Sequence, residues 1–254
     1  MDRAENTQTS QHEFEQLLID GHVHLHECYD EARFLEAACA NLSRRERIGT
    51  ATLLLAEMTG QGVFRRWRNG NGVWAVKATA EPSSLILGGK LLVIAGRQIV
   101  TAERIEVLAL NYAEEIPDGL ELEATIAKVQ DVDGIPVLPW GVGKWWGKRG
   151  RLIERVATRD GVLLADNAGR PSGWPQPAMF QQCVVLAGTD PLPLRSEQER
   201  VGTYGFILKG PIDSNRPAAA IVRALRKLTQ SPPRLGHRVG PFGFLRQQLG
   251  LRFA

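Results

Sequence analysis

Cysteine is scarce in this chain: Cys28, Cys39 and Cys183 form no CxxC pair and no even-numbered set. That excludes a disulfide framework and points to reduced thiols in a cytoplasmic setting. Long hydrophobic runs are missing too. The longest, Leu85 to Gly96, is interrupted by Gly88-Gly89-Lys90 and is too short to span a bilayer. Residues 1–13 are polar and carry no apolar core of a secretory signal. The expectation is a soluble protein without a membrane span. Net charge is only +3, too little by itself to imply a nucleic-acid partner. Neither a GxSxG elbow nor a Rossmann fingerprint occurs, and no Cys/His arrangement supports a nucleophile. Gly143-Lys144 is not a P-loop, because the upstream glycine is misplaced and Trp145 stands where Ser or Thr is needed.

What is present is an ordinary globular composition, 43% hydrophobic and 23% charged, in a chain of 254 residues that one core can accommodate. Short apolar runs (17–25, 50–58, 73–79, 90–94, 98–100, 105–110, 135–138, 162–165, 183–187 and 206–209) read as strands. Helical spacing appears in 31–42, 120–129, 152–159 and 217–228. The alternation predicts an α/β fold with a mainly parallel sheet, and about seven strand–helix units suit a barrel. The expected organisation is a disordered leader over 1–12, one barrel domain over 13–232 and a basic tail over 233–254. Residues 195–254 hold eleven Lys/Arg against three Asp/Glu, either a solvated surface or a contact for an acidic partner.

Histidine is also rare, yet four of the five lie within the first 26 residues. In Asp20-Gly21-His22-Val23-His24-Leu25-His26, an extended strand sends Asp20, His22, His24 and His26 to one face. Paired imidazoles beside a carboxylate are a common start to a divalent metal site, although surface or capping histidines give the same pattern. Val184-Val185-Leu186-Ala187-Gly188-Thr189-Asp190 ends an apolar strand in a carboxylate, which is either a ligand at the reactive end of a barrel or a turn residue before Pro191.

The Asp-Gly-His-Val-His start and the Gly-Thr-Asp end resemble the polymerase and histidinol phosphatase (PHP) family. Over residues 17–210 the paired strands in 99–110, the strand 134–138 and the segment Asp166-Asn167-Ala168-Gly169-Arg170 are similar to that family's pattern. The resemblance implies a distorted (β/α)7, TIM-like barrel and metal-dependent phosphoester hydrolysis. The departures are large. Glu81, Gln98 and Glu106 stand near positions where the family has His, Glu and His; Pro139-Trp140-Gly141 lacks the family's histidine, and so does the sequence after Asp190. The retained ligand set is therefore His22, His24 and Asp190, with Glu81 as a fourth candidate and Asp20 or His26 orienting from behind. Such a set implies one divalent ion of the Zn, Mn or Fe class.

The loop from Pro139 to Arg151 concentrates three tryptophans and four cations. Trp140 and Lys144, joined by Arg170, are candidates for holding an anion; the alternatives are tryptophans packed over the barrel end and a surface arginine. Two functions follow. One is a metal-dependent hydrolase, a phosphoesterase on a small phosphorylated substrate. The other is a catalytically degenerate PHP-like module that binds a ligand or partner. Nucleic acid is not the expected partner. Neither the catalytic group nor the oligomeric state is legible in the sequence.

Overall fold

The computed structural model describes residues 13–44 and 48–253. The expected leader, and most of the basic break at 44–47, lie outside the described residues. Strand β1 (Glu13–Val23) leads into helix α1 (Glu31–Ser43) and strand β2 (Thr50–Leu55). A short α2 (Val63–Arg68) precedes β3 (Val76–Ala78), β4 (Ser84–Leu87) and β5 (Leu91–Ile94). Next come β6 (Gly96–Val100), β7 (Glu106–Leu110), α3 (Leu122–Asp131), β8 (Ile135–Pro139), α4 (Gly147–Ala157) and β9 (Leu163–Asn167). The chain finishes with β10 (Val185–Gly188), β11 (Tyr204–Asp213), α5 (Pro217–Arg226), β12 (Arg234–Gly236) and α6 (Pro241–Phe253).

Local chemistry accounts for several boundaries. Asp30 caps α1 by accepting from the Arg33 N–H at 3.1 Å, and Phe34, Leu35, Ala38 and Leu42 recur at helical spacing on its buried face. The interrupted apolar stretch 85–96 becomes the hairpin β4–β5. Gly88 and Gly89, at the centre of the Leu87–Lys90 turn, sit at φ +55° and +69°, which side-chain-bearing residues resist. Residues 234–236 pair with β11, so the segment expected as a tail adds an edge strand.

The architecture is mixed α/β. One sheet runs β12-β11-β1-β2-β5-β4-β3 and the other β10-β9-β8-β7-β6. It departs from uniform (β/α)7 alternation: β7 is antiparallel to both β6 and β8, and β11 is antiparallel to β1. The link between β6 and β7 is too short to carry a crossover helix, so the chain must reverse there. The sheets meet at two seams. Glu57 N–H donates to Gly96 O (3.0 Å), and Asp190 N–H donates to His22 O (2.8 Å). At the second seam a Cβ on Gly188 would lie 2.4 Å from His22 N, so only glycine permits the approach.

Both sheets curl around one apolar cluster that includes Leu17, Ile19, Leu54, Ile94, Leu108, Val137, Ala165 and Leu186. A second cluster, with Leu18, Val23, Phe34, Leu35 and Leu53, fills the layer under α1 and α2. A third, with Ile126, Leu138, Ile153, Leu164 and Val185, lies under α3 and α4. Alternation along each strand divides these inner and outer layers.

Candidate metal centre

The first strand does not keep one alternation to its end. Pairing between β1 and β2 shifts between Asp20 and Val23: Asp20 opposes Leu53 and Val23 opposes Leu55, three residues against two. Before this bulge, Leu17 and Ile19 face inward while Leu18 faces α1. After it Val23 faces α1, which turns His22 and His24 inward. Bulges beside functional sites commonly re-aim side chains in this way.

His22 and His24 converge with Asp190 from the end of β10, their ligand atoms within 4.8 Å of one another. The two Nε2 atoms are 2.9 Å apart, and Asp190 Oδ1 lies 3.7 Å from the first and 3.6 Å from the second. Two ligands about 2.0–2.1 Å from a tetrahedral ion are separated by roughly 3.3 Å, so these three atoms can hold one with shifts of a few tenths of an ångström. This is a candidate metal-binding group. The imidazoles are buried, whereas the Asp190 side chain keeps 25% exposure and marks the open side.

Electrostatics suit that role. Burial first, then the neighbouring His22, pushes the His24 pKa down to about 3, so its nitrogen lone pair is available at neutral pH. Burial alone would raise Asp190, but His22, His24 and Lys144 hold it below the usual carboxylate value. Asn167, at the end of β9, donates from Nδ2 to Asp190 Oδ2 (2.9 Å) and to Trp140 O (2.7 Å). Its Oδ1 is buried and has no hydrogen-bond partner among the described residues. Its position was visible in the sequence segment 166–170, but nothing local announced its role. Lys144 pairs with Glu106 and adds positive charge beside Asp190.

Other candidates sit elsewhere. Glu81 accepts from the N–H groups of Ala218 (2.5 Å) and Ala219 (3.2 Å) and from Ser84 Oγ (2.7 Å), so it caps α5 and is not part of the metal group. A carboxylate opposite the exposed N–H groups of a helix start is satisfied there without a metal. Arg170 is buried in a two-pronged pair with Asp166, both contacts 2.7 Å, and does not reach an external anion. Trp140 packs into the outer apolar cluster and lends its carbonyl, not its ring face, to the site. In the same loop, residues from Gly147 onward are already helix α4.

Asp20 faces away from the imidazoles. It accepts from Thr189 N–H (2.7 Å), Gly202 N–H (2.8 Å) and His22 N–H (3.3 Å), while burial pushes its carboxyl up to about 6. It therefore supports the backbone on both sides of the site. His26 Nε2 meets Pro191 O at 2.9 Å, and Tyr29 donates to Leu192 O, so both hold the loop after Asp190.

The fold is similar to that of PsfC from Pseudomonas syringae PB-5123, with TM-score 0.57 and 14% identity over 94% of this chain and 98% of that one. It is also similar to the lesion-specific endonuclease PfuEndoQ from Pyrococcus furiosus, with TM-score 0.53 and 11% identity over 87% of this chain. A further match is Endonuclease Q in complex with a 27-mer duplex substrate with an abasic lesion at the active site, at TM-score 0.50 and 11% identity over 84% of this chain. This chain spans 57% of the length of each of the two endonuclease chains. No family model matches the chain, and no curated protein matches it by sequence. Among the described residues, no helix is long and apolar enough to cross a membrane.

Proposed function

We propose that this chain is a metal-dependent hydrolase on a PHP-like scaffold, acting on a phosphorylated ligand. The observation that carries this reading is the convergence of His22, His24 and Asp190 into a set of three ligands with one open side. A divalent ion of the Zn, Mn or Fe class bound there would lower the pKa of a coordinated water and polarise a phosphoryl oxygen. The protein's own groups then have separate tasks. His22 and His24 present ring nitrogens as ligands from the end of β1 and the residue just after it, and Asn167 fixes the direction of Asp190. Lys144 supplies positive charge where an anionic ligand would approach Asp190, with Glu106 restraining the flexible side chain. The structural likeness to a lesion-specific endonuclease is in keeping with phosphoester chemistry, and it makes nucleic acid a substrate class to test beside small phosphate esters.

The experiment is reconstitution of chelator-stripped protein with Zn²⁺, Mn²⁺ or Fe²⁺, assayed on aryl phosphomonoesters, aryl phosphodiesters and an abasic duplex. Turnover should depend on added metal. His22→Ala, His24→Ala and Asp190→Asn should each lose at least the ~10–100-fold that removing groups behind a metal ligand typically costs. Stoichiometric metal uptake without turnover on any substrate would overturn the hydrolase reading in favour of a ligand-binding module. Buried His22 Nδ1, which has no hydrogen-bond partner among the described residues to set its tautomer, is the feature that favours this second reading.

A further inference from the structure

A second polar cavity lies apart from the metal group. Ser172, Tyr204, Arg234, Gly236, His237 and Arg238 line an open depression of about 440 Å³, and none of them is a carboxylate. It shares no residue with His22, His24 and Asp190. The end of β9 explains the separation: Leu164 belongs to the outer cluster and Ala165 to the inner one. Continuing that alternation, Asp166 faces outward to Arg170 and Tyr204, while Asn167 faces Asp190.

The charge count around the cavity does not balance. Asp166 is the nearby acid, and it is already engaged by both prongs of Arg170 and by the Tyr204 hydroxyl at 3.0 Å. Arg234 and Arg238 remain, leaving a surplus of two positive charges over the Asp166–Arg170 pair. Arg238 Nη1 is buried and has no hydrogen-bond partner among the described residues. A desolvated guanidinium nitrogen without an acceptor is costly, and burial together with the adjacent Arg170 pushes the Arg238 pKa down. The backbone holds this arrangement in place. Val239 N–H donates to Ala168 O and Ser172 N–H donates to Val239 O, both at 2.8 Å, pinning the segment that carries Arg238 against the turn after β9. Gly236, at φ +79°, would place a Cβ 1.8 Å from Thr203 O, so the close turn into His237 and Arg238 requires glycine.

We infer that this cavity is a binding site for a phosphate-class dianion, held by Arg234, Arg238 and the Ser172 hydroxyl. Two guanidiniums match two negative charges, and their planar forks suit tetrahedral oxyanions. The shared chemistry admits two sources, free inorganic phosphate or the phosphate group of a small ester.

Calorimetric titration of the intact chain with inorganic phosphate and, separately, with glycerol phosphate tests this, against chloride at matched ionic strength. Saturable binding is expected in at least one arm, and the tighter arm identifies the source. Arg238→Gln and Arg234→Gln should each weaken it about tenfold or more, as loss of a charge-assisted contact predicts. Arg234 is exposed, so its variant keeps the test valid if the Arg238 variant folds poorly. His22→Ala should keep the binding event that Arg234→Gln and Arg238→Gln weaken, whatever it loses at the metal group. Absence of saturable binding in both arms, or affinity unchanged in the arginine variants, would overturn the site. So would affinity lost only in His22→Ala, which would assign the anion to the metal group. Because that group and this cavity have no residue in common, hydrolase activity can fail without affecting this result.

Discussion

Asp20 and His22 stand two residues apart in one strand and face opposite sides of the sheet. The bulge between Asp20 and Val23 separates them, so the carboxylate ties the Thr189 and Gly202 backbones while the imidazole turns to Asp190. Replacing Asp20 by Ala should therefore act on the scaffold. Three backbone N–H groups lose their acceptor, and we expect a loss of about 3 kcal/mol in chemical denaturation. Metal affinity should weaken as well, since Thr189 directly precedes Asp190. A variant as stable as the parent would contradict this role.

Glu81 offers a clean contrast between a helix cap and a metal ligand. Glu81→Ala should lower stability by ~1–2 kcal/mol through the start of α5. Metal content by elemental analysis should stay at the parental value. A fall in bound metal with unchanged melting temperature would reverse the assignment.

Arg170 is expected to matter for folding and not for ligand capture. Removing one partner of a fully buried pair strands the other charge, so Arg170→Leu should destabilise by roughly 3–5 kcal/mol. Thermal melts and ligand titrations on the folded fraction separate the two roles. Unchanged stability combined with weaker anion binding would refute the structural role.

Glu57, which is outside the ligand set, gives a pH signature. Burial raises its pKa above the usual 4.5, only partly offset by the Phe64 N–H and Arg97. A folded value above the unfolded one means that its contribution is complete below pH 4.5 and is lost as pH rises through the folded pKa. Relative to the parent, Glu57→Gln should thus gain stability as pH rises from 4.5 through the folded pKa and level off above it. A parent-to-variant difference that is flat with pH would show that Glu57 is not perturbed.

Much of the fold was legible locally, because it depends on periodicity and turn chemistry carried by neighbouring residues. The spacing of Phe34, Leu35, Ala38 and Leu42 dictated α1, and Pro217 with its apolar stripe dictated α5. The hairpin β6–β7 was likewise visible, although its antiparallel pairing breaks the uniform barrel that the strand–helix alternation suggested. Within the site, residue identity and spacing singled out His22, His24 and Asp190 as candidate ligands. Their convergence is tertiary: it depends on a bulge in β1 and a glycine-permitted seam between β1 and β10. Glu81 and Arg170 show the complementary limit. A charged residue at a suggestive position looks the same in sequence whether it meets a ligand, a helix end or a buried partner. Its chemistry was decided only by which groups, distant along the chain, folding brought within hydrogen-bonding distance.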